Sequence, residues 1–120
     1  MTKLMLDGVV MAGFTMASLA EVKNDLESAY WFFNTTAFTN HPHALRCLAD
    51  MKMAGRGTTR DVMGALSLYE QAAHKGNPAA MFVMGEKARK ENDKYLAASW
   101  YGRAYVRGFD MAGDRLSMLL

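Results

Sequence analysis

The sequence has one cysteine and two prolines in 120 residues, and these low counts exclude a disulfide within the chain and a proline-rich linker. Cys47 cannot form a disulfide within the chain, so nothing here requires an oxidising compartment. With two prolines and no glycine-rich or serine-rich tract, the chain has no recognisable linker. The length predicts a single domain, residues 1–120, with one modest core.

Excess charge and long apolar runs are also missing. The 14 Lys and Arg against 12 Asp and Glu leave a formal net charge of +2, which provides little attraction for phosphate backbones. The longest apolar stretch, near the N-terminus, is shorter than the ~20 residues of a membrane-spanning helix. We therefore expect neither a nucleic acid nor a membrane as the partner.

The N-terminal 22 residues have some features of a secretory signal. Lys3 precedes an apolar run, and Ser18-Leu19-Ala20 has the small-x-small pattern of a cleavage site. Asp7 interrupts the apolar run, however, and the positive region is a single lysine. A helix of a cytoplasmic protein is favoured, and a secreted or periplasmic protein is the alternative.

Three segments of the chain repeat one pattern in phase: residues 26–44, 62–80 and 94–112. Each has a small residue, two adjacent bulky residues and a second small residue at helical spacing. The aligned sets are Ala29, Ala65 and Ala97; Phe32, Leu68 and Trp100; Phe33, Tyr69 and Tyr101; and Thr36, Ala72 and Ala104. A period of 32 to 36 residues is typical of stacked helix pairs.

Residues that begin and end helices recur in the same phase. Aspartates suited to cap a helix N-terminus precede each segment, at Asp25, Asp61 and Asp93. Residues that tolerate a left-handed backbone follow each segment, at Asn40, Gly76 and Gly108. Pro42 and Pro78 then open the next helix, where a missing amide hydrogen costs little.

A fainter repeat lies between these segments, in GVVMAG from residue 8, ALRCLA from residue 44 and AMFVMG from residue 80. With the Gly55-x-Gly57 turn, the whole pattern resembles the Sel-one-like repeat (SLR) family, a relative of the tetratricopeptide repeats. The resemblance implies an all-α fold: an α/α superhelical solenoid of about three SLR helix pairs plus a short C-terminal capping helix. Its units would span about 8–43, 44–79 and 80–111, with a partial unit at 112–120. The resemblance also implies a binding scaffold and no enzyme activity.

The stretch SWYGRAYVRGFD from residue 99 mixes aromatic and basic residues, as in proteins that stack single-stranded nucleic acid. Its spacing favours another interpretation. Trp100, Tyr101 and Ala104 form one helix stripe that repeats in the other units, which predicts packing between helices. Arg103 and Arg107 are predicted to lie on a different, solvated face.

Other chemical sites find little support. His41, His43 and Cys47 suggest metal ligands, but no carboxylate or second cysteine completes a set. His74 has no identifiable nucleophile beside it, and Gly55-Arg56-Gly57 lacks the lysine of a phosphate-binding loop. We expect no catalytic residue, no metal and no cofactor.

By analogy with tetratricopeptide units, the first helix of each pair lines a concave face that binds a partner protein. The candidate partner-binding residues are Val10, Phe14, Arg46, Asp50, Phe82, Glu86, Arg89 and Asp114. Aromatic and arginine side chains are frequent anchors of interfaces. Phe14 and Phe82 could equally be core residues, and the sequence leaves this open.

Two functions follow from this pattern. The chain is either a general protein-interaction adaptor or a dedicated inhibitor or immunity protein that caps a single target. Leu116, Leu119 and Leu120 at the C-terminal end are too many to bury on one preceding helix pair. They predict self-association as a two-fold homodimer, or a cap supplied by the target.

Overall fold

The structure is a computed structural model that describes the backbone of residues 3–120 and the side chains of residues 7–120. Met1, Thr2 and the side chain of Lys3, on which the signal-peptide interpretation partly rests, lie outside the described residues. The described residues form seven α-helices and no strand, so the all-α prediction is confirmed. The helices are α1 (Lys3–Val22), α2 (Leu26–Ala37), α3 (Pro42–Ala54), α4 (Val62–His74), α5 (Pro78–Lys90), α6 (Lys94–Val106) and α7 (Asp110–Leu119).

The three repeated aspartates cap helices, as the sequence predicts. The Asp25 carboxylate accepts a hydrogen bond from the Ser28 amide at 3.2 Å, and Asp93 accepts one from Leu96 at 3.1 Å. Asp61 accepts one from the Gly64 amide at 2.9 Å. Each bond satisfies an amide that the helix itself leaves without a partner.

The repeated residues after the second helices adopt the predicted left-handed backbone. Their φ angles are 59° at Asn40, 100° at Gly76 and 93° at Gly108. Pro42 and Pro78 then occupy the first position of α3 and α5. Together these residues end one helix and start the next within a few positions.

The helices group into two compact units, Met1–Leu68 and Tyr69–Leu120, with the division inside α4. In the first unit, α1 packs on α2 and α2 packs on α3. Small residues allow the close approach of these helices, since Ala17, Ala29 and Ala44 are completely buried.

In the second unit, α5 packs on α6 and α6 packs on α7. Trp100 is 6% exposed and Tyr101 is completely buried, together with Ala97 and Ala104. The aromatic stripe of α6 is therefore core, as its spacing predicts. Phe32, at the position equivalent to Trp100 in the first repeat, is only half-buried.

No described helix combines the length and the apolar character needed to cross a membrane.

Candidate functional site

In the first unit, the Phe14 ring of α1 contacts two histidines at the start of α3. The ring centroids are 5.3 Å from His41 and 5.0 Å from His43, both in edge-to-face geometry. His41 is also the N-cap of α3, because its Nδ1 accepts from the His43 amide at 3.3 Å. The two histidines that the sequence offered as metal ligands thus pack on an aromatic ring.

Arg46 joins this aromatic group to an ion pair. Its Nη1 donates to Asp50 Oδ2 at 2.6 Å, and its Nη2 lies 3.2 Å from His43 Nδ1. Because a guanidinium only donates, His43 Nδ1 accepts, and the neutral ring carries its proton on Nε2. Burial, and then the positive charge of Arg46, lower the pKa of His43 and favour this neutral form. We call Phe14, His41, His43, Arg46 and Asp50 the Phe14 patch.

Cys47 lies beside this patch, with its Sγ 3.6 Å from His43 Nε2. Burial raises the pKa of the Cys47 thiol to about 11, so the thiol stays protonated at neutral pH and is a poor nucleophile and metal ligand. Among residues 7–120, no group of three or more His, Cys, Asp or Glu side chains is placed to hold a metal ion.

Val10 is a correction to the predicted partner-binding set. It is 7% exposed and lies in the core, whereas a residue that lines an open face would be accessible. Ala17, seven residues later on the same stripe of α1, is also buried. Val10 therefore has almost no surface to offer a partner.

In the second unit, Phe82 of α5 lies at the border between core and solvent. Its ring stacks on Phe109 at 5.1 Å and contacts the Tyr101 ring at 5.7 Å. The Arg115 guanidinium carbon is 5.8 Å from the ring centroid. Phe82 is half-buried, so one part of the ring is held by the protein and the rest is accessible.

Glu86, one turn after Phe82, holds two arginines. Its Oε2 accepts from Arg89 Nη2 at 2.7 Å, and its Oε1 accepts from Arg115 Nε at 2.5 Å. Burial of Glu86 favours its protonated form, but the hydrogen bonds from Arg89 and Arg115 outweigh this and lower its pKa. The carboxylate is therefore ionised at neutral pH. We call Phe82, Glu86, Arg89, Phe109 and Arg115 the Phe82 patch.

The Tyr101 hydroxyl lies next to this network. It is buried and makes no hydrogen bond of good geometry, although Arg89 and Glu86 both influence its pKa. Burial is the main cause that raises its pKa.

The remaining predicted residues lie on or beside α7. Asp114 is exposed and makes no ion pair with any residue between 7 and 120. Leu116 and Leu119 are half-buried and Leu120 is exposed. These three leucines line a groove of about 420 Å³ with Tyr95 and Ala98 of α6.

This arrangement of helices occurs in solved structures. The crystal structure of a Sel1 repeat protein from Oxalobacter formigenes is 30% identical, with a TM-score of 0.81 over 93% of this chain and 91% of that chain. The chain belongs to the Sel1 repeat family.

A second Sel1-type structure shows the same fold at lower identity. It is a protective antigen present in uropathogenic Escherichia coli strains, with 22% identity and a TM-score of 0.78. The match covers 95% of this chain and 25% of the antigen. No protein-family model and no curated protein matches the sequence.

Both patches lie mainly on the first helix of each predicted helix pair. Phe14 and Arg46 come from α1 and α3, and Phe82 and Glu86 come from α5. Arg115 and Phe109 were not predicted, because they join the Phe82 patch only through contacts with residues 27 to 33 positions away. Likewise, no sequence pattern indicates the contacts of the two histidine rings with Phe14.

Proposed function

We propose that this Sel1 repeat protein is a non-catalytic protein-interaction module that binds a partner protein or peptide through the exposed faces of its first helices. The Phe82 patch carries the proposal, because it presents a half-buried aromatic ring beside two arginines. Aromatic and arginine side chains in such partly desolvated positions are the residues on which binding energy concentrates.

The side chains of the Phe82 patch are already ordered. Glu86 forms ion pairs with Arg89 and Arg115, and the Phe109 and Tyr101 rings both contact the Phe82 ring. A surface whose long side chains are fixed before binding loses less conformational entropy when the partner arrives. This order supports recognition of one shape of partner.

The Phe14 patch offers a second, similar surface in the first unit. The Phe14 ring contacts both histidine rings, and Arg46 contacts His43 and pairs with Asp50. Both charges of the ion pair are partly accessible, with side-chain exposures of 27% and 45%. Polar groups of this kind at the rim of an aromatic anchor contribute specificity more than affinity.

The order of the Phe82 patch also favours the narrower function, a dedicated inhibitor or immunity protein that caps one target. An adaptor for many partners is expected to use side chains that can repack, as flexible methionine-rich surfaces do. The two functions differ in stoichiometry and affinity: one tight partner for the inhibitor, several weak partners for the adaptor.

Affinity capture from the native host tests the proposal. Tagged wild type is compared with Phe82→Ala and with Phe38→Ala. The second variant is the control, because Phe38 is the C-cap residue of α2, is 82% exposed and lies outside both patches. We expect the specific partner to be lost with Phe82→Ala and retained with Phe38→Ala. Calorimetry with the identified partner then gives the stoichiometry. Equal capture by all three proteins would contradict the proposal.

A further inference from the structure

Two histidine rings act as hydrogen-bond acceptors at the start of α3. His41 Nδ1 accepts from the His43 amide at 3.3 Å, and His43 Nδ1 accepts from Arg46 Nη2 at 3.2 Å. A histidine nitrogen accepts only while the ring is neutral, because both nitrogens carry protons in the imidazolium. Histidine is also the side chain whose charge ordinarily changes between about pH 5 and 8. The first turn of α3 therefore depends on bonds that a proton removes.

The equivalent helix α5 begins without this dependence. Its N-cap is Asn77, whose side-chain oxygen accepts from the Ala80 amide at 2.9 Å and does not titrate. In both helices the amide four residues after the N-cap donates to the N-cap carbonyl: Leu45 to His41 and Met81 to Asn77, each at 3.0 Å. The repeat thus supplies a matched helix start in which the cap carries no titratable ring.

A proton on His43 would lie beside a cation. The Arg46 guanidinium faces Nδ1, and the Cys47 Sγ, protonated at neutral pH, lies 3.6 Å from Nε2. Asp50 favours the charged ring, but its carboxylate is paired with Arg46. His43 is also the second residue of α3, where the positive end of the helix disfavours a cation.

Helix α1 contributes an aromatic ring to this group. The Phe14 ring centroid lies 5.0 Å from that of His43. Glu21 acts on the Cys47 thiol, whereas the charged groups that act on His43 belong to α3 or to its N-cap. Among residues 7–22, therefore, no carboxylate stabilises a protonated His43 ring.

These surroundings determine how the ring responds to pH. Burial is the main cause that lowers the pKa of His43, followed by the positive charges of Arg46 and His41, and Asp50 opposes them. The pKa in the folded protein is therefore below the ordinary value of 6.5. The stabilisation that depends on the neutral ring is complete above pH 6.5 and is lost as the pH falls through the lowered pKa.

We propose that the start of α3 is a proton-sensitive switch, in which His43 takes up a proton in mild acid, its hydrogen bond with Arg46 breaks and the first turn of α3 loosens. The Phe14 patch, in which the charges of Arg46 and Asp50 balance, then gains one positive charge. A partner that binds the neutral patch binds the protonated patch less tightly. This consequence, unlike the switch itself, rests on the function proposed above.

Proton uptake is measured by NMR on the full chain, from the Cε1–H signals of its three histidines. The signal that disappears in His43→Gln is that of His43. We expect its titration midpoint to lie below 6.5, to rise in Arg46→Ala and to fall further in Asp50→Asn, because these two side chains act on the ring in opposite directions. Lys23→Ala, which removes an exposed cation just after α1, should leave the midpoint unchanged.

Loosening of α3 is measured by amide hydrogen exchange, corrected for the intrinsic effect of pH. We expect the protection of the Leu45 amide to fall at least about fivefold between about pH 7.5 and 5, as local opening increases. The Met81 amide at the start of α5 is the matched control and should keep its protection. His43→Gln should keep the protection of Leu45 in acid, because the glutamine oxygen accepts from Arg46 at either pH.

A His43 midpoint at or above that of histidine in the urea-unfolded protein would overturn the proposal, as would a midpoint that Arg46→Ala does not raise. So would equal losses of protection at Leu45 and Met81, or a loss that persists in His43→Gln, since His41 would then be the sensor. These measurements need no partner, so their failure is distinct from failure of the capture experiment. With the captured partner, calorimetry should show a loss of affinity in acid for the wild type and not for His43→Gln, and equal losses would place the pH effect in the partner and contradict the consequence for binding.

Discussion

The Tyr101 ring occupies the space that a side chain on Gly85 would need. A Cβ atom at Gly85 would lie 2.6 Å from ring carbons Cδ1 and Cε1. Both residues are buried. The helices α5 and α6 could therefore make room for a side chain at Gly85 only by moving apart, which would open the core of the second unit.

Replacement of Gly85 and Gly102 by alanine should therefore change stability in opposite directions. Gly85→Ala should lower the free energy of unfolding by about 1 to 3 kcal/mol, as overpacking of a core does. Gly102→Ala should raise it by about 0.5 to 1 kcal/mol, since alanine is the better helix former and its Cβ meets nothing within 4 Å. Urea denaturation measures both. If both substitutions raised, or both lowered, the free energy of unfolding, the described packing of α5 on α6 would be contradicted.

Trp100→Ala should be among the most damaging single substitutions. Removal of a buried tryptophan costs about 3 to 5 kcal/mol, against a total of about 5 to 15 kcal/mol for a domain. Arg103→Ala is its control, because it removes only a cation that lies over the same ring, a contact worth about 0.5 to 1 kcal/mol. Chemical denaturation should place the Arg103→Ala midpoint close to that of the wild type. Similar midpoints for the two variants would contradict the assignment of Trp100 to the core.

Glu86 should make stability depend on pH in the acidic range. Its pKa in the folded protein is lower than the ordinary value of 4.5, so the ionised carboxylate stabilises the fold at higher pH. This contribution is complete above pH 4.5 and is lost as the pH falls through the lowered pKa. The stability difference between wild type and Glu86→Gln should thus be largest near neutral pH and shrink in acid. A difference that grows as the pH falls would show that the carboxylate is not held by the arginines.

Cys47 should react slowly with thiol reagents. With a pKa of about 11, its thiolate fraction at pH 8 is far below that of a free cysteine. The reduction is on the order of a hundredfold or more relative to an unperturbed pKa of about 8.5. Alkylation by iodoacetamide, followed by mass spectrometry, compares the native protein with the urea-unfolded protein, which serves as the reference. Equal rates would show that burial does not protect this thiol.

Arg46→Ala should weaken partner binding and leave the fold intact. Arg46 is partly exposed, and its ion pair with Asp50 lies on one helix, where such pairs contribute about 0.3 to 0.5 kcal/mol. The thermal midpoint should stay within a few degrees of the wild type. Binding to the partner identified by capture is measured by calorimetry, with a Lys23→Ala variant as an exposed-cation control. Unchanged binding in Arg46→Ala would remove Arg46 from the proposed surface.

The order of the helices, their ends and their buried stripes were predictable from the sequence. These features depend on residues close together along the chain: an aspartate caps the amide three positions later, and a glycine permits the left-handed turn at its own position. The repeat then shows each local pattern three times, which strengthens it. The burial of Trp100, Tyr101 and Ala104 was predictable for this reason.

The contents of the two patches were decided only by the tertiary structure. Val10 and Phe14 are both apolar residues of α1, yet Val10 is in the core and Phe14 meets two histidines, because the rotation of α1 against its neighbours decides which side is covered. Arg115 reaches Glu86 across 29 residues, and nothing near either residue predicts that pair. Local propensity determined where each helix begins and ends, whereas contacts between helices determined which side chains meet, since those contacts depend on packing angles that short sequence patterns do not encode.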